Sequence, residues 1–167
     1  MKILKNITYI AGIALLPFFA GNATAQSEQT EQLNQKITRN ADHQIMKGPS
    51  KYFTGDVLVK IFLGPKEEAA YSAGEVTFQP GARSNWHTHP AGQNIIITKG
   101  VGLTGTEDGK VVEVHEGDVI WCPPGVKHWH GASPETAMTH MTITGEKNGN
   151  VTWMEAVTDE QYNHHSK

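Results

Sequence analysis

Six of the nine histidines in this 167-residue chain fall between His87 and His140. Imidazole binds divalent metals and exchanges protons near neutral pH, so these six are the first candidates for chemistry. His87-Thr88-His89 sets two imidazoles two residues apart, and in an extended segment both point to the same side. Pro90-Ala91-Gly92 then turns the chain and brings Gln93 in beside them. Further on, Pro123-Pro124-Gly125 makes a second tight turn, after which His128 opens the next strand. Three imidazole nitrogens and one amide oxygen, from His87, His89, His128 and Gln93, make a metal coordination set that leaves positions open for water or substrate. His130 follows His128 by two residues and so shares its interior face. His140 sits in a β-like segment, Ala137 to Ile143. Neither is needed to saturate an ion, so both are candidates for accepting or donating a proton beside a bound substrate.

The elements that must carry these residues read as strands. Short apolar stretches separated by Gly, Pro and Asp turns run through Val57 to Leu63, Glu75 to Phe78, Ile95 to Thr98 and Val101 to Thr106. They continue through Val111 to His115, Val119 to Trp121, Ala137 to Thr144 and Val151 to Met154. That texture predicts an all-β sandwich or barrel. Asp108-Gly109 is a hairpin signal, so the strands on either side of it are expected to pair directly. Residues 26–49 read as a polar N-terminal arm with a helical spacing at Leu33, Ile37, Ala41 and Ile45. Apolar walls for a substrate are expected from Val76, Phe78, Ile96 and Trp129.

The N-terminus carries a targeting pattern. Lys2 and Lys5 precede an apolar run from Ile7 to Phe19, and Ala23-Thr24-Ala25 follows as a small-x-small cleavage site. This predicts a signal peptide over 1–25, export to a periplasm, and no stable membrane association after cleavage. The formal charge of −3 becomes −5 once the two leader lysines are gone, which excludes the basic footprint of a nucleic-acid binder. The lone Cys122 excludes an intrachain disulfide and leaves any metal to nitrogen and oxygen donors. Cys122 itself reads as a small buried residue, and His43, His115, His164 and His165 read as surface groups.

At the histidines the chain resembles the cupin superfamily. Gly81, His87, His89, Gln93 and Gly100 stand at the spacings of the first cupin motif, with Gln93 where glutamate is usual. Gly117, Pro123, Gly125 and His128 stand at those of the second, with Ala132 replacing a final asparagine. The resemblance implies a double-stranded β-helix, a jelly-roll barrel, over residues 50–158 with a tail at 159–167. It also implies one divalent metal held by His87, His89, Gln93 and His128. A neutral glutamine leaves a divalent site its full charge, which favours Lewis-acid work over oxygen activation. The stretches around His87, His128 and His140, with the closing Trp153-Met154-Glu155, are similar to the bacterial manganese-dependent cupin hydroxynitrile lyases, the (R)-mandelonitrile lyase group. This implies cleavage of a small cyanohydrin to an aldehyde and hydrogen cyanide. It also implies Mn2+ ahead of Fe2+, Ni2+ or Zn2+, His130 and His140 as catalytic acid/base, and a homo-oligomer. A quercetinase-like dioxygenase and a non-catalytic carbohydrate-binding cupin are the alternatives.

Overall fold

The computed structural model describes residues 34–64, 69–146 and 151–164. The expected leader at 1–25, the start of the arm with Leu33, residues Lys66, Glu67 and Glu68, and His165 therefore lie outside the described residues. Within Ile37–Lys167, twelve strands join by antiparallel pairing: β1 Ile45–Lys47, β2 Phe53–Thr54, β3 Val57–Leu63, β4 Tyr71–Phe78, β5 Arg83–Ser84 and β6 His87–Thr88, then β7 Gln93–Thr106, β8 Val111–His115, β9 Val119–Cys122, β10 His128–Ala132, β11 Met138–Gly145 and β12 Thr152–Trp153. A single short helix among the described residues, α1 Asp159–Asn163, closes the chain. It is capped at Thr158, whose hydroxyl accepts from the Gln161 backbone N–H.

Strand β7 makes the curl. Its first half, from Gln93, pairs with β11 and β9; its second half, from Val101, pairs with β10 and β8. The two runs predicted as Ile95–Thr98 and Val101–Thr106 are thus one strand, bent rather than broken at Gly100. Gly100 has φ of 82°, and a Cβ there would collide with the carbonyl of Ala137, the residue before β11. Asp108-Gly109 turns β7 into β8, with Val101 opposite His115 and Gly105 opposite Val111, as the hairpin signal predicts.

The arm departs from expectation. The helical spacing over Ile37, Ala41 and Ile45 forms only a three-residue 3-10 turn at Asn40–Asp42, then strand β1. Three positions at weak periodicity cannot nucleate a helix, whereas β3 offers Ile45–Lys47 a ladder to pair with.

Alternation along β3, β4, β7 and β11 sends Val57, Phe78, Ile95, Ile97 and Met138 into the main core, with Cys122 and Val114 beside them. A second cluster of Trp86, Leu103, Trp129, Val157 and Tyr162 lies under the C-terminal segment. Buried Arg83 binds that segment: its guanidinium donates to Val157 O at 3.0 Å and to Asp159 Oδ1 at 2.6 Å, and lies 4.7 Å from the Tyr162 ring centroid. Tyr162 in turn donates its hydroxyl to Ala132 O at 2.7 Å.

Close strand approach at β10 makes a stability prediction. A Cβ on Gly131 would sit 2.5 Å from Ala82 O and 2.7 Å from Arg83 Cα, both backbone atoms that cannot swing aside. Gly131→Ala is expected to cost about 1–3 kcal/mol, read as a lower denaturation midpoint in urea. An unchanged midpoint would show that β5 moves away freely.

Candidate metal and proton-transfer site

His87, on β6, opposes His128, the first residue of β10, so one backbone pair brings two imidazoles together with ring centroids 4.3 Å apart. Each ring donates its Nδ1–H to the carbonyl two residues upstream, His87 to Asn85 O and His128 to Val126 O, both at 2.9 Å. Burial lowers the pKa of both rings, so at neutral pH each holds one proton, at Nδ1, and presents a lone pair at Nε2.

Gln93, the first residue of β7, is fixed from the other side. Its amide N–H donates to Thr144 Oγ1 at 3.0 Å, which turns Oε1 toward His128 Nε2 at 3.4 Å. With the His128 proton on Nδ1, two lone pairs face each other in a buried space, an arrangement that calls for a cation between them. His89 is 5% exposed, and neither of its ring nitrogens has a hydrogen-bond partner. An unmade buried hydrogen bond costs about 1–3 kcal/mol, and a metal ion would relieve that cost. The donor types and the orphaned His89 nitrogens therefore fit the divalent ion that the motif spacing implies. His87, His128 and His130 also present ring nitrogens all within 4.8 Å of one another, a buried trio that can bind a metal ion.

His130, on β10, stands at the junction between these donors and a second pair. Its Nδ1 lies 3.1 Å from Nε2 of His140 on β11, so one proton is shared between the rings. His130 lines the cavity; His140 lies behind it with no exposed surface. Burial lowers both pKa values, that of His140 to about 3, and His140 further lowers that of His130. Phe78 packs under both rings, at 5.8 Å from His130 and 5.5 Å from His140.

The cavity has a volume of about 400 Å³ and a mostly apolar wall. Of the walls expected from sequence, only Val76 faces it. Phe78 is beneath the histidine pair, Trp129 belongs to the second core cluster, and Ile96 turns outward, opposite exposed Val119. Strand alternation decides each case. Tyr52, Phe53 and Trp153, absent from that expectation, complete the wall. The signal for them was weak, since each lies on or beside a strand of two residues. His115 pairs with Glu113 at the surface, His43 bonds Ile61 O, and His164 is exposed. Burial raises the Cys122 thiol to about 11, so it is inert at neutral pH.

Residues 74–144 match the Cupin domain family. A relative named (R)-mandelonitrile lyase, from Granulicella tundricola, is 52% identical over 128 residues, covering 76% of this chain and 98% of its own length. The crystal structure of a cupin-like protein from Thermotoga maritima superposes with TM-score 0.67 at 38% identity, covering 70% of this chain and 89% of that one. A polyketide cyclase from Streptomyces resistomycificus, at 15% identity and TM-score 0.62 over 77% of this chain and 91% of its own, shares the fold.

Two predictions follow from this geometry. Thr144→Val removes the acceptor that aims Gln93 and is expected to weaken divalent-metal affinity about 10–100-fold, measured by competition with a chelator. The second concerns pH in metal-free protein. The buried histidines have folded-state pKa values below the unfolded value of 6.5, as with His89 at about 4. Their neutral form is favoured by folding, so this part of the stability is complete above pH 6.5 and is lost as pH falls toward 4. Urea midpoints should therefore drop between about pH 7.5 and about pH 4.5; a flat profile would mean that the rings gain solvent or counter-charges on loss of metal.

Proposed function

This chain belongs to the cupin superfamily, as a lyase among cupins, and from that premise we propose that it catalyses reversible cleavage of a cyanohydrin into an aldehyde and hydrogen cyanide. The observation that carries the proposal is the His130–His140 pair, set 3.1 Å apart at the edge of a buried donor cluster and opening on an apolar cavity. In this proposal His87, His89, Gln93 and His128 hold a divalent ion, Mn2+ by the resemblance to the manganese-dependent lyases, with Fe2+, Ni2+ and Zn2+ accepting the same donors. When bound, the ion supplies a Lewis acid that lowers the pKa of an oxygen group beside it.

The chain's own residues then manage one proton. Both rings of the pair are neutral at neutral pH because burial disfavours their charged forms. The substrate hydroxyl gives its proton to the His130 side of the pair, and the hydrogen bond to His140 spreads the resulting charge over two rings. The carbon–cyanide bond breaks as the carbonyl forms, and the bonding electrons leave with cyanide. Cyanide takes the same proton back from His130 to give hydrogen cyanide, so the pair ends as it began. The apolar wall excludes water and keeps the transient imidazolium a strong enough acid to return its proton.

The same proposal includes export to a periplasm directed by the leader, with cleavage after Ala25, and self-association. Trp121, Val119 and Ile143, all exposed on the outer face of the sheet formed by β9, β7 and β11, support self-association.

The test is release of benzaldehyde and cyanide from mandelonitrile by protein reloaded with Mn2+. His140→Ala and His130→Ala are each expected to retain metal and to lose about 10²–10⁴-fold in turnover. His89→Ala is expected to lose the metal. Loss of metal in His130→Ala with retention in His89→Ala would instead place His130 in the ligand set, as the compact His87–His128–His130 trio allows. No benzaldehyde above background would sink the lyase proposal.

A further inference from the structure

Every donor named above lies within the matched family domain at 74–144, but the aromatic wall of the cavity lies outside it. Tyr52 and Phe53 precede that domain and Trp153 follows it. Trp153 lies against the ring of His87, centroids 4.8 Å apart and tilted by 38°. Tyr52 stacks on Trp153 at 4.7 Å and 24°, and Phe53 meets Trp153 edge-on at 5.7 Å and 65°. Strands β3 and β4 contribute Val59 and Val76 to the same cavity.

Buried Asn85 ties both flanking segments to the donor cluster. Its backbone N–H donates to Tyr52 O at 2.8 Å, and its side-chain amide donates to Lys51 O at 3.0 Å. Its own carbonyl takes the Nδ1–H of His87. Around it, Met154 N–H donates to Trp86 O and Trp86 N–H to Glu155 O, and Trp153 stands opposite His87 in the β6–β12 ladder. The aromatic wall is therefore held in fixed register with a donor, not draped over it.

Resting on the cyanohydrin-lyase reading, we propose that Phe53 and Trp153 form the subsite for the substrate's side chain and select planar aromatic carbonyl compounds over saturated ones of similar size. Flat rings meet aromatic faces and edges in offset or T-shaped contact. A puckered aliphatic ring cannot match that geometry. Reaction chemistry then resides in the common domain, and side-chain selectivity in the segments that flank it.

The experiment compares benzaldehyde with cyclohexanecarbaldehyde, by isothermal titration into full-length Mn2+-loaded protein and by KM for the two corresponding cyanohydrins. Phe53 is the residue to change because Trp153 also touches His87. Phe53→Leu keeps an apolar side chain and guards against a folding failure in Phe53→Ala. Wild type is expected to bind benzaldehyde about tenfold more tightly than the saturated analogue. Phe53→Leu should erase most of that preference by weakening benzaldehyde alone, with metal content unchanged. Equal weakening of both ligands, or an unchanged preference, would overturn the proposal. Selective binding without cleavage of either cyanohydrin would sink the lyase reading and leave the aromatic subsite standing; cleavage without selectivity would do the reverse.

Discussion

Neutral imidazoles in a single tautomer are the constraint on which the site depends. His87 and His128 each surrender Nδ1–H to a carbonyl two residues back in their own chain. That local bond decides which nitrogen keeps a lone pair, and burial keeps the ring from taking up a second proton. Asn85 and Val126 need no particular side chain to do this, only a backbone bent so that the carbonyl meets the ring. The tight turn at Pro123-Pro124-Gly125 and the ladder of β6 with β10 and β12 supply that backbone. The Gln93–Thr144 bond does for the amide what the carbonyls do for the imidazoles.

Neutral donors and a buried neutral pair give the site an unusual charge balance. The site gathers six groups with lone pairs or protons to exchange, from His87, His89, Gln93, His128, His130 and His140, and none of them is a carboxylate. A proton arriving at His130 thus meets no anion that would trap it there, and its electrostatic cost is met only by sharing with His140. Such a pair suits reactions in which a proton is held briefly and returned, rather than stored.

Much of this was legible in the sequence, and what was not has a physical cause. His87, His89, His128 and His130 could be placed by counting, because extended chain fixes direction every two residues and the turns at Pro90 and Pro123 mark where strands start. His140 was legible as part of a strand, while its interior position comes from the pairing of β11 with β4 and β7. The bend at Gly100 was not, since a glycine between two apolar runs looks the same whether the strand ends or continues around a corner. The wall residues failed for a related reason: Ile96 and Trp129 are apolar and near the ligands in sequence, but alternation turns them away. Tyr52, Phe53 and Trp153 lie on or beside two-residue strands whose position is set by Asn85 and by β6, contacts without local pattern. Arg83 was equally silent, because its partners, Val157 and Asp159, are far along the chain.

The pairing of β12 with β6 sets an order of events in the life of the molecule. All six site groups have been synthesised once His140 is made, yet His87 gains its ladder partner and its aromatic neighbour only when Thr152 and Trp153 are available. The clasp of Arg83 on Val157 and Asp159 comes later still. A barrel that has formed its long strands during synthesis therefore holds an unfinished centre until its last segment docks, because non-local contacts close late. Maturation of the site is in this sense a C-terminal event, and the short belt from Thr152 to Tyr162 acts as the final assembly step of the enzyme.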